Sequence, residues 1–164
     1  MLKYVDTKIV FQEIPDEITL AINISNCPCQ CKGCHSPYLA EDIGKPLVYR
    51  TEYKGQPATE TGELQELIES NEGITCICFM GGDSNPSLIN KCGWLIKKLY
   101  FKLKVAWYSG RQELSKDIDL KNFDYIKLGP YIEELGPLNS KTTNQRFYRV
   151  EGDKLVDETF KFWK

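Results

Sequence analysis

The sequence contains no apolar run long enough to cross a bilayer. Its start, MLKYVDTKIVFQEIPDE, also lacks the basic region, apolar region and cleavage site of a secretion signal. These absences predict a cytoplasmic protein with no membrane partner, in a compartment that keeps thiols reduced. The odd count of seven cysteines then favours metal or redox chemistry over a disulfide framework.

An excess of charge of one sign is absent too. Basic and acidic residues number 21 and 23 and are interspersed, which gives a formal net charge of −2. This balance offers no electrostatic surface for a nucleic acid. Internal repeats and low-complexity segments are also missing. With 41% hydrophobic residues, the 164-residue chain is long enough to bury a core, and we expect one domain over residues 1–164.

Four short apolar segments are expected to be buried strands of one sheet. They are mostly apolar, and three of them end at a glycine. They comprise residues 17–25, 74–82, 103–110 and 123–129. Residues 146–159 predict a terminal hairpin or strand.

Two of the segments between these strands carry apolar residues at helical spacing. Residues 61–70 begin with a capping-box pattern and carry a short apolar stripe. Residues 87–102 carry a second stripe with lysines opposite it, formed by Leu88, Cys92, Leu95, Ile96 and Leu99. The alternation of strands and helices predicts the α/β class with a mainly parallel sheet and crossover helices.

A cluster of cysteines follows the first of these strands. Cys27, Cys31 and Cys34 have the spacing C-x3-C-x2-C, so one folded loop can direct three thiolates towards a common point. Ligands bind at the carboxyl ends of the strands in such sheets, and the loop begins there. Three thiolates suit a [4Fe-4S] cluster whose fourth iron is left open for a small molecule.

Other interpretations of the cysteines remain open. Cys29, Cys31, Cys34 and His35 form a candidate zinc site, and an electron-transfer protein would use Cys29 as the fourth ligand of a cluster. Cys29 is most simply an extra thiol of the loop. The remaining cysteines fit the role of small buried side chains better, and they are Cys76, Cys78 and Cys92.

Two further strand ends carry groups that suit a ligand. Gly81 and Gly82 allow a ligand to lie against the backbone, and Asp83 offers a carboxylate to an ammonium group. The next strand ends with Ser109 and Gly110, which add a hydroxyl group and another glycine. We expect the cysteine triad, the carboxylate and the hydroxyl group to converge on one cleft.

These motifs resemble those of radical S-adenosylmethionine enzymes, which carry C-x3-C-x2-C after the first strand and Gly-Gly-Glu or Gly-Gly-Asp after the second. Within that superfamily the chain looks like the activating proteins of anaerobic ribonucleoside-triphosphate reductase. The similarity extends to residues 108–110, to GPYIEEL (129–135) and to NQR (144–146). Leu128 stands where such proteins often have an acidic residue, and we assign no catalytic role to Lys127 or Leu128.

The resemblance implies a partial (βα) barrel with a curved, mainly parallel sheet. It also implies a [4Fe-4S] cluster on Cys27, Cys31 and Cys34, and S-adenosylmethionine held by Asp83 and Ser109 beside Gly81 and Gly82. The implied partners are the large glycyl radical subunit of the reductase and a flavodoxin-like electron donor. A radical enzyme acting on a small molecule, similar to a 7-carboxy-7-deazaguanine synthase, and a non-enzymatic iron-sulfur or zinc module are the alternatives.

Overall fold

A computed structural model gives the structure of residues 1–34, 36–47, 49 and 62–163. These residues form one eight-stranded sheet and two α-helices, α1 (Glu63–Glu69) and α2 (Pro86–Leu99). The strands in chain order are β1 (Lys3–Val10), β2 (Thr19–Ile24), β3 (Lys45–Pro46), β4 (Cys76–Met80), β5 (Lys104–Tyr108), β6 (Tyr125–Leu128), β7 (Arg146–Glu151) and β8 (Lys154–Asp157). The order across the sheet is β3-β1-β2-β4-β5-β6-β7-β8.

The four predicted buried strands form the centre of this sheet. β2, β4, β5 and β6 lie side by side, and each pairs with the next in parallel. Most of their side chains are buried, as the continuous apolar pattern predicts. The α/β class, the four central strands and the terminal hairpin of β7 and β8 are therefore confirmed.

The prediction of a mainly parallel sheet is wrong, because the sheet is mixed. β1 and β3 add antiparallel strands on one side, and β7 and β8 add them on the other. The sheet also stays open, since its end strands β3 and β8 do not pair with each other. β1 was missed because its side chains are only partly buried, so its sequence lacks the apolar run of the central strands.

Both predicted helices are present, as α1 and α2. α2 joins β4 to β5, and α1 precedes β4, but a 3-10 turn at Leu120–Asn122 stands between β5 and β6 in the described structure. α1 begins after Gly62 with no side-chain cap, and the predicted capping residue Thr61 lies outside the described residues. Neither α-helix of the described ranges is long and apolar enough to span a membrane.

α2 packs on the sheet with a face slightly different from the predicted one. Asn85 caps the helix, because its side chain accepts a hydrogen bond from the Leu88 amide at 3.3 Å. Ile89, rather than Leu88, is fully buried, and Leu99 is 50% exposed. The buried stripe of α2 therefore differs from the predicted one at both ends.

The three cysteines expected in the core are buried there. Cys76 and Cys78 project from the same face of β4 and pack with Ala106 and Phe147. Cys92 lies on the opposite side of the sheet, in the larger core covered by the helices. Burial raises the pKa of all three thiols, because a thiolate is poorly solvated in an apolar interior.

These buried thiols make the fold sensitive to alkali. Burial raises the pKa of Cys92 to about 12, so its thiol stays protonated in the folded chain after it has ionised in the unfolded chain. The unfolded state then binds fewer protons than the folded one, and the free energy of unfolding falls as pH rises from about 9 towards 12. We expect Cys92→Ala to reduce this slope by up to about 1.4 kcal/mol per pH unit.

Urea unfolding under reducing conditions measures the slope between pH 9 and 11. Leu88→Ala is the control, since it removes an apolar side chain from the same helix without removing a titrating group. If the free energy of unfolding falls equally with pH in the wild type and in Cys92→Ala, the prediction is contradicted.

Candidate cofactor and metal site

The predicted site residues lie on one edge of the sheet. β2, β4, β5 and β6 all end there, and in the sheet register Met80 pairs with Tyr108, which pairs with Lys127. The cysteine loop follows β2, Asp83 follows β4, and Ser109 follows β5. Residues far apart in sequence meet because the carboxyl ends of parallel strands share an edge.

Asp83 is held in place by the neighbouring strand. Its side chain is buried, with only 6% of the residue exposed. The Ser109 hydroxyl donates a hydrogen bond to Asp83 Oδ1 at 2.5 Å, and the Gly110 amide donates one to Oδ2 at 2.9 Å. The Arg111 amide donates in turn to Ser109 Oγ at 3.0 Å. The hydroxyl hydrogen of Ser109 is thus used to position Asp83, and a direct contact between Ser109 and a ligand stays a prediction.

The two glycines before Asp83 are required by the turn itself. Gly81 and Gly82 have φ angles of +100° and +94°, a region that other residues rarely adopt. A Cβ atom on Gly82 would lie 2.6 Å from Ile89 Cδ1, inside the core beneath α2. The indole of Trp107 donates to the Gly81 carbonyl at 2.7 Å. The backbone conformation and these contacts account for glycine at both positions. The approach of a ligand to Gly81 and Gly82 stays a prediction.

Backbone contacts close the cysteine loop at its base. The amide of Cys27 donates to the Leu39 carbonyl at 2.8 Å, so the chain returns to its starting point after the loop. Within the loop the Cys34 amide donates to the Cys31 carbonyl at 3.2 Å. Gly33 has a φ of +76°, and a Cβ atom there would lie 3.3 Å from the Tyr131 ring, in the segment after β6. The loop therefore extends over the strand ends to the segment that follows β6.

The structure brings Cys27, Cys29 and Asp83 together. Their ligand atoms all lie within 4.8 Å of one another, and this is the one such group of histidine, cysteine and acidic residues in the described part of the chain. Cys31 and Cys34 are outside it. Because each cysteine of an iron-sulfur cluster binds a different iron, their sulfurs stand further apart than the ligands of a single ion. The predicted triad therefore stays a prediction, and His35 lies outside the described residues.

The Cys29 thiol donates a hydrogen bond to the Asp83 carboxylate. Its Sγ lies 3.7 Å from Asp83 Oδ2. Burial, followed by the negative charge of Asp83 and the neighbouring Cys27, raises the pKa of Cys29 to about 12. All seven cysteines are free of disulfide bonds. Cys29 thus faces the buried carboxylate, whereas the sequence placed it as a surplus thiol of the loop.

Lys127 is a site residue to which the sequence analysis assigned no role. It is 8% exposed, and its Nζ donates to the carbonyls of Gly129 at 2.7 Å and Ser109 at 3.3 Å. Burial lowers the pKa of Lys127 to about 8, against the opposing effect of nearby acidic groups that include Asp83 and Cys31. A lysine inside an apolar strand was the available signal, since buried lysines are rare unless they meet a partner.

Two segments that contribute to the family resemblance, GPYIEEL (129–135) and NQR (144–146), pack against each other beside Lys127. Asn144 Nδ2 donates to the Pro130 carbonyl at 3.0 Å. Gly129 has a φ of +111°, and a Cβ atom there would lie 3.1 Å from the Cα of Gln145. GPYIEEL and NQR therefore form one structural unit at this edge of the sheet.

Similarity to known proteins gives no further information about this edge of the sheet. No protein-family model matches the chain, and no curated protein and no solved structure matches it either. What the site can do chemically therefore follows from its own groups, which are clustered thiols, a buried carboxylate and a buried ammonium group.

Proposed function

We propose that the chain is a radical S-adenosylmethionine activase that generates a glycyl radical on an anaerobic ribonucleoside-triphosphate reductase. One observation carries the proposal: a loop with the C-x3-C-x2-C spacing lies at the carboxyl edge of four parallel strands, beside a buried carboxylate held by two hydrogen bonds. The four parallel strands form the centre of an open, mixed sheet, with antiparallel strands on either side.

The donor set suits an iron-sulfur cluster with an open iron. Cys27, Cys31 and Cys34 are free thiols on one loop and are partly exposed, so a cluster can reach them. A [4Fe-4S] cluster held by these thiolates would supply the electron for reductive cleavage of S-adenosylmethionine into methionine and a 5′-deoxyadenosyl radical. The protein's part is to bind and orient the reactants and to exclude side reactions.

Asp83 is the residue that would hold the amino group of S-adenosylmethionine. Its oxygens already accept from Ser109, Gly110 and the Cys29 thiol, yet a carboxylate has about four acceptor positions, so one remains for an ammonium group. The existing hydrogen bonds fix the direction of the carboxylate before the ligand arrives. Such preorganisation reduces the cost of ordering on binding.

Lys127 supplies a positive charge beneath the site. Its ammonium group lies close enough to Asp83 and to the thiols of Cys29, Cys31 and Cys34 to feel their charge. A cluster held by thiolates is anionic, and a buried cation beside it offsets part of the cost of placing that charge in a protein interior. In this proposal Lys127 positions charge and does not react.

The substrate in this proposal is a glycine on a mobile segment of a large protein. The cysteines of the loop are partly exposed, so a partner that brings its own loop would complete the site. The large glycyl radical subunit of the reductase would supply that loop, and a flavodoxin-like protein would supply the electron. The 5′-deoxyadenosyl radical would abstract a hydrogen atom from the glycine, which gives 5′-deoxyadenosine and a glycyl radical on the reductase.

Electron paramagnetic resonance on the mixed proteins tests this function. The chain, reconstituted anaerobically with iron and sulfide, is incubated with S-adenosylmethionine, a reductant and the reductase from the same source. We expect the doublet of a glycyl radical on the reductase, and we expect it to vanish when the candidate glycine of the reductase is replaced by alanine. Rapid consumption of a small purine precursor with no radical on the reductase would instead support an enzyme similar to a 7-carboxy-7-deazaguanine synthase.

A further inference from the structure

Cys29 is built into the edge of the sheet and is not a loose thiol of the loop. A Cβ atom on Gly110 would lie 2.8 Å from Cys29 Sγ, so the thiol fits against a backbone that has no side chain at that point. The same Gly110 donates its amide hydrogen to Asp83. A glycine after β5 therefore makes room for the sulfur and also orients the carboxylate that the sulfur faces.

The thiols of Cys27 and Cys29 and the carboxylate of Asp83 are ligands of the kind that zinc prefers. Cys29 Sγ and Asp83 Oδ2 are 3.7 Å apart, and the whole group lies within 4.8 Å. With zinc–sulfur bonds of about 2.3 Å, two sulfur ligands of a tetrahedral ion lie roughly 3.8 Å apart. The group needs to contract by only about 1 Å at its widest to hold an ion.

We propose that Cys27, Cys29 and Asp83 bind a single thiophilic divalent cation, Zn²⁺, when the chain carries no iron-sulfur cluster. Water takes the fourth position of the tetrahedron, as it does where three protein groups bind zinc.

The ligands themselves carry the charge that a divalent cation requires. Two thiolates and a carboxylate bring three negative charges to the ion, and the Lys127 ammonium group and the Arg111 guanidinium group act on the same residues from outside the ligand set.

The groups around Asp83 complete the site. Zinc ligands are usually oriented by hydrogen bonds from an outer shell of residues. Ser109 and Gly110 already play this part, because they donate to the two oxygens of Asp83. The carboxylate is consequently held in one orientation before any ion arrives.

The ion and the proposed cluster share Cys27 and so exclude each other. They differ in their other ligands: the ion uses Cys29 and Asp83, and the cluster uses Cys31 and Cys34. The zinc site does not depend on the proposed activity, and substitutions at Cys29 and Cys31 separate the two.

Metal titration of the full chain tests the ion site. The protein is freed of metal by chelation under anaerobic, reducing conditions, and is titrated with Co²⁺, whose thiolate charge-transfer bands report bound sulfur, and then with Zn²⁺ in competition. We expect one ion per chain with thiolate bands. Cys29→Ser and Asp83→Asn should each weaken binding by at least the roughly 10- to 100-fold that loss of an outer-shell partner costs.

Cys31→Ser is the matched control, because it alters a thiol of the same loop that lies outside the group. We expect it to retain the affinity for Zn²⁺ within about threefold. An equal loss in Cys31→Ser and Cys29→Ser, or no cobalt–thiolate bands in the wild type, overturns the proposal. If the cluster hypothesis is right, Cys31→Ser loses bound iron after reconstitution and Cys29→Ser keeps it. The zinc proposal and the cluster proposal can therefore fail independently.

Discussion

Alanine at Cys27, Cys31 or Cys34 is expected to reduce bound iron and sulfide to background after anaerobic reconstitution. Each of the three thiolates would bind a different iron, and loss of one leaves a cluster with two protein ligands on an exposed loop. Cys29→Ala is expected to keep the cluster, because the Cys29 thiol points towards Asp83 and is not part of the triad spacing. Iron and sulfide analysis and the absorbance of the cluster measure the result.

Cys92→Ala is the control for the loss of any cysteine, since Cys92 is buried on the helix side of the sheet. Equal iron loss in the four loop variants would contradict the three-ligand hypothesis and favour an electron carrier with four cysteines. Retention of iron in Cys31→Ala or Cys34→Ala would remove that residue from the site.

Asp83→Asn is expected to weaken binding of S-adenosylmethionine by roughly ten- to a hundredfold while the cluster remains assembled. A hydrogen bond between an ammonium group and a carboxylate contributes on the order of 1.5–3 kcal/mol, and each 1.4 kcal/mol changes affinity about tenfold. Asparagine keeps the size of the side chain but removes its charge. Calorimetric titration of the reconstituted protein measures the affinity.

Ser109→Ala separates the charge of Asp83 from its orientation. This change removes the hydrogen bond to Asp83 Oδ1 and leaves the carboxylate charged. Because the carboxylate that pairs with the ammonium group remains and only its orientation is loosened, we expect a smaller loss of affinity than in Asp83→Asn. Unchanged affinity in Asp83→Asn would exclude Asp83 from the ligand site.

The central strands could be predicted because their signal is local. β2, β4, β5 and β6 are short apolar runs bounded by turns, and burial on both faces leaves that pattern in the sequence itself. β1 could not be found in this way. Its backbone is paired on both sides, with β2 and β3, but its side chains are mostly partly exposed, so pairing stabilises it without an apolar run.

The same distinction applies within the candidate site. The cysteine spacing and the Gly-Gly-Asp turn are properties of short segments, and the sequence alone indicated both. The positive φ angles of Gly81 and Gly82 agree with a turn of this kind. Lys127 was assigned no role because its importance depends on which groups surround the end of β6. The sequence of one strand shows the lysine but not those neighbours.

The sequence by itself determined which groups stand at each strand end, because residue type and spacing along the chain are local properties. Only the tertiary structure decided which of these groups meet. Asp83 lies 54 positions after Cys29 and 26 before Ser109, yet it contacts both, since parallel pairing places successive strand ends side by side. Lys127 joins them through the next parallel pairing, and its ammonium group donates to the Ser109 and Gly129 carbonyls.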